Sequence, residues 1–151
     1  MKRYFAYGSN MNQQRVAERG LVVVRAEAAR LSGFRLVFDK HSPAHQGTGH
    51  ANITREPGEV VEGVLYWLAG ADEIVKMDRF ERSPVNYSRD VIEVQTASGS
   101  VCSWTYFANP AVRRPGLLPP RSYLAHLLAG RPFLSDTYFL KLSAWECVED
   151  L

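Results

Sequence analysis

The segment Arg3–Asn10 reads RYFAYGSN. Aromatic and small residues alternate along its first five positions, a two-residue period typical of a β-strand with one buried face. The strand is expected to stop at Gly8-Ser9-Asn10, because these residue types favour tight turns. Good helix formers occupy residues 11–19, so the segment predicts a strand, a turn and a helix in succession.

The same two patterns continue along the chain. Residues 60–68 read VVEGVLYWL, the clearest strand, and Gly63 within it indicates a bulge or the close approach of another backbone. Further strands are predicted at 21–30, 34–39, 51–55, 91–96 and 101–108, with a polar loop at 40–49 and turns at 56–59 and 97–100. Helices are predicted at 70–81 and 122–129, with Ile74, Met77 and Phe80 forming the apolar face of the first, and residues 137–145 are expected to be helical or loosely packed. This order predicts a single α+β domain over residues 1–151, its strands forming a strongly curved sheet or small β-barrel flanked by helices.

Composition narrows the range of partners. The chain has 151 residues, a net charge of +2 and two cysteines, Cys102 and Cys147. That charge is too small to indicate nucleic acid, and two cysteines can build neither a disulfide framework nor a four-cysteine zinc site. No apolar stretch has the length of a signal peptide or a membrane span, so we expect a cytoplasmic protein without a membrane partner.

The opening turn is the first candidate binding site. A strand that ends in Gly8-Ser9-Asn10 presents consecutive backbone N–H groups, and a helix that begins there adds its positive end. Both features favour an anion or a carboxylate. The alternative is a purely structural turn in which Asn10 is an ordinary helix N-cap.

Glu81 is the second candidate, because it falls where the helix of residues 70–81 ends, just before a proline. A carboxylate there can point into a cleft, where desolvation raises its pKa towards the range of a general base. The alternative is a surface glutamate paired with Arg79, Arg82 or Arg89. Asp78 is a competing carboxylate on roughly the same helical face.

Three histidines form the third candidate: His41, His45 and His50. Metal ligation is one interpretation, but Pro43 and two glycines break any helix that would align them, and no cysteine or carboxylate accompanies them. A polar loop is therefore the preferred interpretation. The sequence contains no nucleophile elbow, phosphate-binding glycine loop or dinucleotide fingerprint, so nucleophilic and cofactor chemistry have no support in it.

Taken together, these stretches resemble the γ-glutamylcyclotransferases. The opening YFAYGSN is similar to the family signature, and the similarity continues in register through Gly49–Ile53, Glu62–Tyr66, Met77-Asp78, Glu81, Tyr87, Arg89, Trp104–Tyr106, Pro120 and Tyr123. The resemblance implies a mixed α+β fold around a small barrel with a cavity at its mouth. It implies Glu81 as the acid–base residue and no metal or other cofactor. The substrate contacts it implies are Tyr4, Phe5, Ala6, Tyr7, Gly8, Ser9, Asn10, Tyr87 and Tyr123.

The implied reaction suits these residues. A γ-glutamyl amide carries its own nucleophile, the α-amine, which closes a five-membered ring on the γ-carbonyl and releases 5-oxoproline with a free amine. Asn10 favours the branch that acts on γ-glutamyl amino acids or γ-glutamylated small metabolites. The arginines near Glu81 and the histidine-rich loop do not match the family and leave the amine partner open. A non-catalytic small-molecule-binding member is the main alternative, and either a monomer or a homodimer is expected.

Overall fold

The structure, a computed structural model, describes residues 1–150. Five strands and four α-helices follow one another along this part of the chain. Their bounds are β1 Arg3–Ala6, α1 Gln13–Glu18, β2 Val23–His41, β3 Gly49–Leu68, α2 Glu73–Phe80, β4 Tyr87–Thr96, β5 Gly99–Ala108, α3 Arg121–Leu128 and α4 Asp136–Ser143. Within residues 1–150, none of the helices combines the length and apolar character needed to cross a membrane.

The five strands close into a barrel in the order β1-β3-β2-β4-β5. Neighbours pair antiparallel except at the closure, where β1 meets β5 in parallel with Tyr4 opposite Trp104. The closed barrel surrounds a core of aliphatic and aromatic side chains. The prediction of a small barrel flanked by helices is therefore confirmed.

The two longest strands, β2 and β3, form one hairpin with an interruption in its middle. Ser32 lies opposite Val60 and Phe34 opposite Arg55, so residues 56–59 bulge out opposite Gly33 alone. The prediction of a turn at 56–59 between two separate strands is wrong, because β3 continues through these residues as a bulge. Gly33 and Gly58 supply the positive φ angles of +82° and +87° that the bulge requires.

Gly63 confirms the prediction of a close backbone approach. A Cβ atom added to it would lie 2.3 Å from the carbonyl oxygen of Ala6 and 2.8 Å from the ring of Phe5. Any side chain at this position would push β1 away from β3. Gly63 therefore fixes where the opening strand sits, and with it the turn that follows.

Helix α2 is shorter than predicted but presents the expected face. Ile74 and Met77 are fully buried, whereas Phe80 is 44% exposed. The assignment of Phe80 to the apolar face is wrong, because the helix ends there and its ring instead stacks under the guanidinium of Arg19 at 4.9 Å. The predicted strands 91–96 and 101–108 are confirmed as the β4–β5 hairpin, and α3 and α4 confirm the two C-terminal helices.

Candidate functional site

A cavity of about 220 Å³ opens between the opening turn, the end of α2 and the start of α3. It gathers residues that are far apart in sequence. Eight of the predicted site residues line it: Tyr4, Tyr7, Gly8, Ser9, Asn10, Glu81, Tyr87 and Tyr123.

Phe5 and Ala6 do not line the cavity. Successive side chains of a strand point to opposite faces, so Phe5 points away from Tyr4 and packs, fully buried, against Gly63. Ala6 is 1% exposed and belongs to the barrel core. The resemblance covered the whole opening segment, whereas the strand period allows only part of it to face the cavity.

The opening turn presents free backbone donors. Within residues 1–150, the amides of Gly8, Ser9 and Asn10 make no backbone hydrogen bond, while the Gly8 carbonyl accepts from the amide of Met11 at 3.0 Å. A Cβ on Gly8 would lie 3.0 Å from the Cβ of Ala51, so glycine lets the turn pack closely on β3. Gly8, Ser9 and Asn10 all line the cavity, so their backbone amides lie beside it.

The helix after the opening turn begins later than either interpretation of the sequence assumed. One turn of 3₁₀ helix spans Ser9–Met11, and α1 begins only at Gln13, with the Asn12 side chain accepting from the amide of Gln14 at 3.1 Å. Asn10 is therefore not the N-cap. Helix α1 has only six residues and begins three residues after Asn10. Its positive end should therefore attract an anion less than the backbone N–H groups of the turn do.

The side chain of Asn10 instead links three groups around the cavity. Its Nδ2 donates to Tyr4 Oη at 2.9 Å and to Glu81 Oε1 at 3.1 Å, and its Oδ1 accepts from Arg19 Nη1 at 3.0 Å. Its backbone carbonyl accepts from Tyr66 Oη at 2.6 Å. Asn10 therefore fixes the carboxylate of Glu81 relative to the opening turn.

Glu81 is a half-buried residue whose carboxylate faces the cavity. Burial raises its pKa, while the positive charges of Arg19, Arg15 and Lys40 and the bond from Asn10 offset part of that rise. Within the described chain, no cation lies within ion-pair distance of this carboxylate. The alternative of a surface glutamate paired with a neighbouring arginine is therefore wrong.

Asp78 is the carboxylate that makes the ion pair. Arg89 Nη2 donates to Oδ2 at 3.1 Å, its Nε lies at ion-pair distance, 3.1 Å, from Oδ1, and Tyr106 Oη donates to Oδ1 at 2.6 Å. Asp78 does not line the cavity. Its oxygens are occupied by these partners, so it is a structural group that holds α2 against β4 and β5.

Phenol groups supply much of the remaining wall. Tyr87 Oη donates to the carbonyl of Ala51 at 2.8 Å, and Tyr123 Oη accepts from the amide of Ala51 at 3.0 Å. Burial raises the pKa of Tyr123 to about 12 and that of Tyr4, Tyr7 and Tyr87 well above the ordinary value. These phenols stay neutral near pH 7, so they can donate or accept hydrogen bonds but do not serve as bases.

Several cationic residues of the cavity were not predicted. Arg15 and Arg19 line it from α1, and Lys40 lines it from the end of β2. The i, i+4 spacing of the two arginines puts them on one helical face and was a usable signal. Lys40 gave no signal, because a lysine beside a polar loop is most often solvated.

The three histidines are not brought together. His50 lines the cavity and stacks on Tyr123 with ring centroids 4.3 Å apart and planes 7° apart, whereas His41 and His45 lie outside it. Burial, followed by the charges of Lys40 and Arg15, lowers the pKa of His50 to about 4, so it is neutral near pH 7. No group of three or more potential metal ligands is found within residues 1–150.

The sequence of this chain is similar to that of a known protein family and of a bovine protein. The family described as "Gamma-glutamyl cyclotransferase, AIG2-like" matches residues 4–125. The γ-glutamylcyclotransferase of Bos taurus is 35% identical over 81 residues, and that alignment covers 52% of this chain and 43% of the bovine protein. The chain thus matches less than half of the length of this relative.

Solved structures extend the similarity over almost the whole chain. A γ-glutamyl cyclotransferase superposes with a TM-score of 0.82 at 25% identity, covering 97% of this chain and 88% of its own. An uncharacterized protein from Homo sapiens gives 0.82 at 26% identity, covering 99% and 90%. A yeast γ-glutamyl cyclotransferase specific to glutathione shares the fold alone, at 15% identity and a TM-score of 0.63 over 93% of each chain. Because the family match spans most of its length, this chain belongs to the AIG2-like γ-glutamyl cyclotransferase family.

Proposed function

We propose that this protein is a γ-glutamylcyclotransferase that releases 5-oxoproline and a free amine from a γ-glutamyl amide. Family membership supports the reaction class. One observation carries the assignment for this chain: the Glu81 carboxylate faces the cavity, is held by Asn10, and has no cationic partner among the described residues. A carboxylate in that setting is available to take up a proton.

The reaction needs one proton carrier. The substrate α-amine is an ammonium near pH 7 and loses a proton to Glu81. Its nitrogen then attacks the γ-carbonyl carbon, forming the C–N bond of the five-membered ring. The protonated Glu81 gives this proton to the departing nitrogen as the original amide C–N bond breaks. The ionised carboxylate then takes the second proton from the ring nitrogen and passes it to the released amine or to water. Each proton is accounted for, so a second acid is unnecessary.

The raised pKa of Glu81 suits this double role. A carboxylate with an ordinary pKa would be a weak base towards an ammonium, whereas a desolvated one holds a proton more readily. The nearby positive charges of Arg19 and Arg15 act against this rise in pKa and favour the ionised carboxylate. This environment therefore supports Glu81 as a base in the free enzyme and as an acid after it has taken a proton from the substrate.

The opening turn is proposed to hold the γ-glutamyl group. The free amides of Gly8 and Ser9 can bind the substrate α-carboxylate or the carbonyl oxygen as it gains negative charge. Fixed donors of this kind hold the amine and the carbonyl in an attack geometry, which accelerates intramolecular reactions strongly. Tyr7, Tyr87 and Tyr123, which also line the cavity, are proposed to contact the substrate.

A non-catalytic binding member of the family would keep the cavity without needing a base. A member of that kind would be expected to lack the acid–base glutamate, whereas Glu81 is present at the cavity and accepts a hydrogen bond from Asn10. Asn10 also agrees with the proposed substrates, γ-glutamyl amino acids or γ-glutamylated small metabolites.

The test is incubation of the purified protein with a panel of γ-glutamyl compounds, with 5-oxoproline detected by mass spectrometry. We expect at least one compound to be converted by the wild-type protein and none at a comparable rate by Glu81→Gln. Saturable binding of the panel without any 5-oxoproline would instead establish the binding-protein alternative.

A further inference from the structure

Arg19 is connected to the Glu81 carboxylate through another side chain. Its Nη1 donates to Asn10 Oδ1 at 3.0 Å, and Asn10 Nδ2 donates to Glu81 Oε1 at 3.1 Å. Within residues 1–150, no ion pair joins Arg19 to Glu81 directly. The proposed reaction gives Arg19 no task of its own, although Arg19 lines the cavity beside the proposed base.

The Asn10 amide has two orientations, which exchange its oxygen and its NH₂ group. In the observed orientation the NH₂ group meets three acceptors, namely Glu81 Oε1, Tyr4 Oη at 2.9 Å and the Met77 sulfur at 3.3 Å. A rotation of 180° would turn the amide oxygen towards the carboxylate and the NH₂ group towards a guanidinium, which has only donors. Arg19 is therefore compatible with one orientation only, the one that presents a donor to Glu81.

Contacts with α2 hold the Arg19 guanidinium in place. Arg19 is the C-terminal cap of α1, and its guanidinium carbon lies 4.9 Å from the centroid of the Phe80 ring. Phe80 directly precedes Glu81 in the chain. The stacked pair thus joins the end of α1 to the end of α2, next to the carboxylate.

Arg15, one helical turn earlier, shows that a cation at the cavity does not by itself make this connection. Arg15 lines the cavity too, but within residues 1–150 its guanidinium makes no hydrogen bond, and its Nε is buried without an acceptor. Three cations oppose the rise in the pKa of Glu81: Arg19, Arg15 and Lys40. Of these, Arg19 alone is connected to Glu81 by hydrogen bonds within the described chain.

Several elements place charged or titratable groups around Glu81. Burial raises its pKa, and the charge of Arg19 is first among the effects that oppose this rise. The other cations of the cavity are Arg15 on α1, Lys40 at the end of β2 and Arg82 directly after Glu81. Burial raises the pKa of the cavity tyrosines on or beside β1, β4, β5 and α3, and lowers the pKa of His50 on β3 to about 4. These phenols and His50 are therefore neutral near pH 7, and loss of the Arg19 charge should raise the pKa of Glu81 further.

We infer that Arg19 is a positioning residue for the proposed base: it holds the Asn10 amide in the orientation that donates to the ionised Glu81 carboxylate. The inference rests on the proposed function, in which Glu81 takes a proton from the substrate amine. A proton acceptor works only while it is ionised and correctly oriented. Arg19 serves both conditions by acting through Asn10.

The test compares two substitutions of Arg19. Arg19→Met keeps the apolar contact with Phe80 without the charge or the donors, whereas Arg19→Lys keeps the charge and a donor for Asn10. For Arg19→Met we expect kcat for 5-oxoproline formation to fall by about tenfold with KM nearly unchanged, the usual worth of a hydrogen bond to a charged group. The acidic limb of the plot of kcat/KM against pH should move to higher pH, because Glu81 would then lose its proton at higher pH. Arg19→Lys should restore part of kcat and return the limb towards its wild-type position.

Arg79→Met is the matched control, because Arg79 is exposed near the end of α2 and lies outside the cavity. It should leave kcat and the pH profile as they are. A rise of KM in Arg19→Met with kcat unchanged would overturn the inference, because Arg19 would then contact the substrate itself. A fall in kcat without movement of the acidic limb would overturn it too, since a purely structural role has that result.

Asn10→Ala tests the route by which Arg19 acts. Adding Arg19→Met to Asn10→Ala should lower kcat little further, because the hydrogen bond through which Arg19 acts is already absent. Full additivity of the two losses would contradict the inference.

A measurement that needs no turnover separates this inference from the proposed function. Carbon-13 NMR of glutamate-labelled protein gives the titration midpoint of Glu81 in the wild type, in Arg19→Met and in Arg79→Met. Absence of 5-oxoproline from every γ-glutamyl compound would count against the proposed function, yet a higher midpoint in Arg19→Met than in the other two proteins would still support the control of Glu81 by Arg19. Equal midpoints in all three proteins would overturn it.

Discussion

Asp78 and Glu81 lie three residues apart at the same end of the molecule, yet the structure treats them in opposite ways. Asp78 receives two hydrogen bonds, from Arg89 and Tyr106, forms an ion pair with Arg89, and lies outside the cavity. Glu81 receives one from Asn10, has no ion pair within residues 1–150, and lines the cavity. Residue type and spacing alone did not distinguish the two carboxylates, whereas the resemblance to the γ-glutamylcyclotransferases implied Glu81.

The difference arises where the helix ends. Asp78 lies within α2, whereas Glu81 is its C-terminal cap, and the next residue, Arg82, adopts a left-handed conformation with φ of +50°. The chain leaves the helix there, so the Glu81 side chain is directed at the opening turn. A saturated carboxylate stabilises the fold, and a sheltered unpaired one is available for proton transfer.

The largest expected effect is on enzyme activity, and it distinguishes Glu81 from Asp78. Glu81→Gln should lower 5-oxoproline formation by at least about 10²-fold, the usual worth of a positioned general base. Asp78→Asn should be far milder, because Asp78 does not line the cavity. Steady-state kinetics on both variants, with folding checked by circular dichroism, would measure the contrast.

If Glu81→Gln kept the wild-type turnover, the assignment of Glu81 as the general base would be wrong. Equal damage from the two substitutions would leave the choice between the carboxylates undecided and break the contrast drawn above.

The second expected effect is on stability, and here the substitution of Asp78 is expected to cost more than that of Glu81. Asp78→Asn weakens the charged pair with Arg89 and should lower the free energy of unfolding by about 1 kcal/mol, since the pair is partly exposed. Urea denaturation near pH 7 would measure it. Arg25→Gln is a suitable control, because its pair with Glu27 is more exposed and should contribute less; a loss as large as that at Asp78 would contradict this account.

The smallest effect is a gain of stability in Glu81→Gln at neutral pH. The folded-state pKa of Glu81 is raised above the ordinary value of 4.5, so the folded protein binds more protons than the unfolded chain between these two values. Stability is therefore lost as pH rises through that window, and a neutral glutamine avoids the loss. Near pH 7, thermal unfolding should give Glu81→Gln a higher free energy of unfolding than the wild type. The gain should be smaller than the loss expected for Asp78→Asn, and it should vanish below about pH 4.5.

A constant difference across that pH range would show that the effect comes from packing or hydrogen bonding rather than from ionisation.

Local sequence patterns predicted the parts of the fold that depend on nearby residues. The alternation of Arg3–Tyr7 and the strand VVEGVLYWL are short-range signals, and both strands form as expected. The turn at 56–59 was wrong, because a local turn signal cannot tell a chain reversal from a bulge between two long strands. That distinction depends on the pairing of β3 with β2, which is a long-range property.

The candidate site was predicted to a similar degree. Glu81 and the opening turn carry their own local signals, and the resemblance placed them in one cavity. Lys40 and His50 become site residues only when β2 and β3 pair beside α3, and no local pattern shows this. The role of Asn10 was likewise invisible, because its partners Tyr4, Arg19 and Glu81 meet only after folding.

The central claim is that Glu81 is a sheltered carboxylate with a raised affinity for protons. Carbon-13 NMR titration of glutamate-labelled protein, with the Glu81 resonance assigned by its absence in Glu81→Gln, measures this directly. We predict a titration midpoint above 4.5. A midpoint at or below 4.5 would mean that Glu81 behaves as an ordinary solvated carboxylate, and the account given for the site would be contradicted.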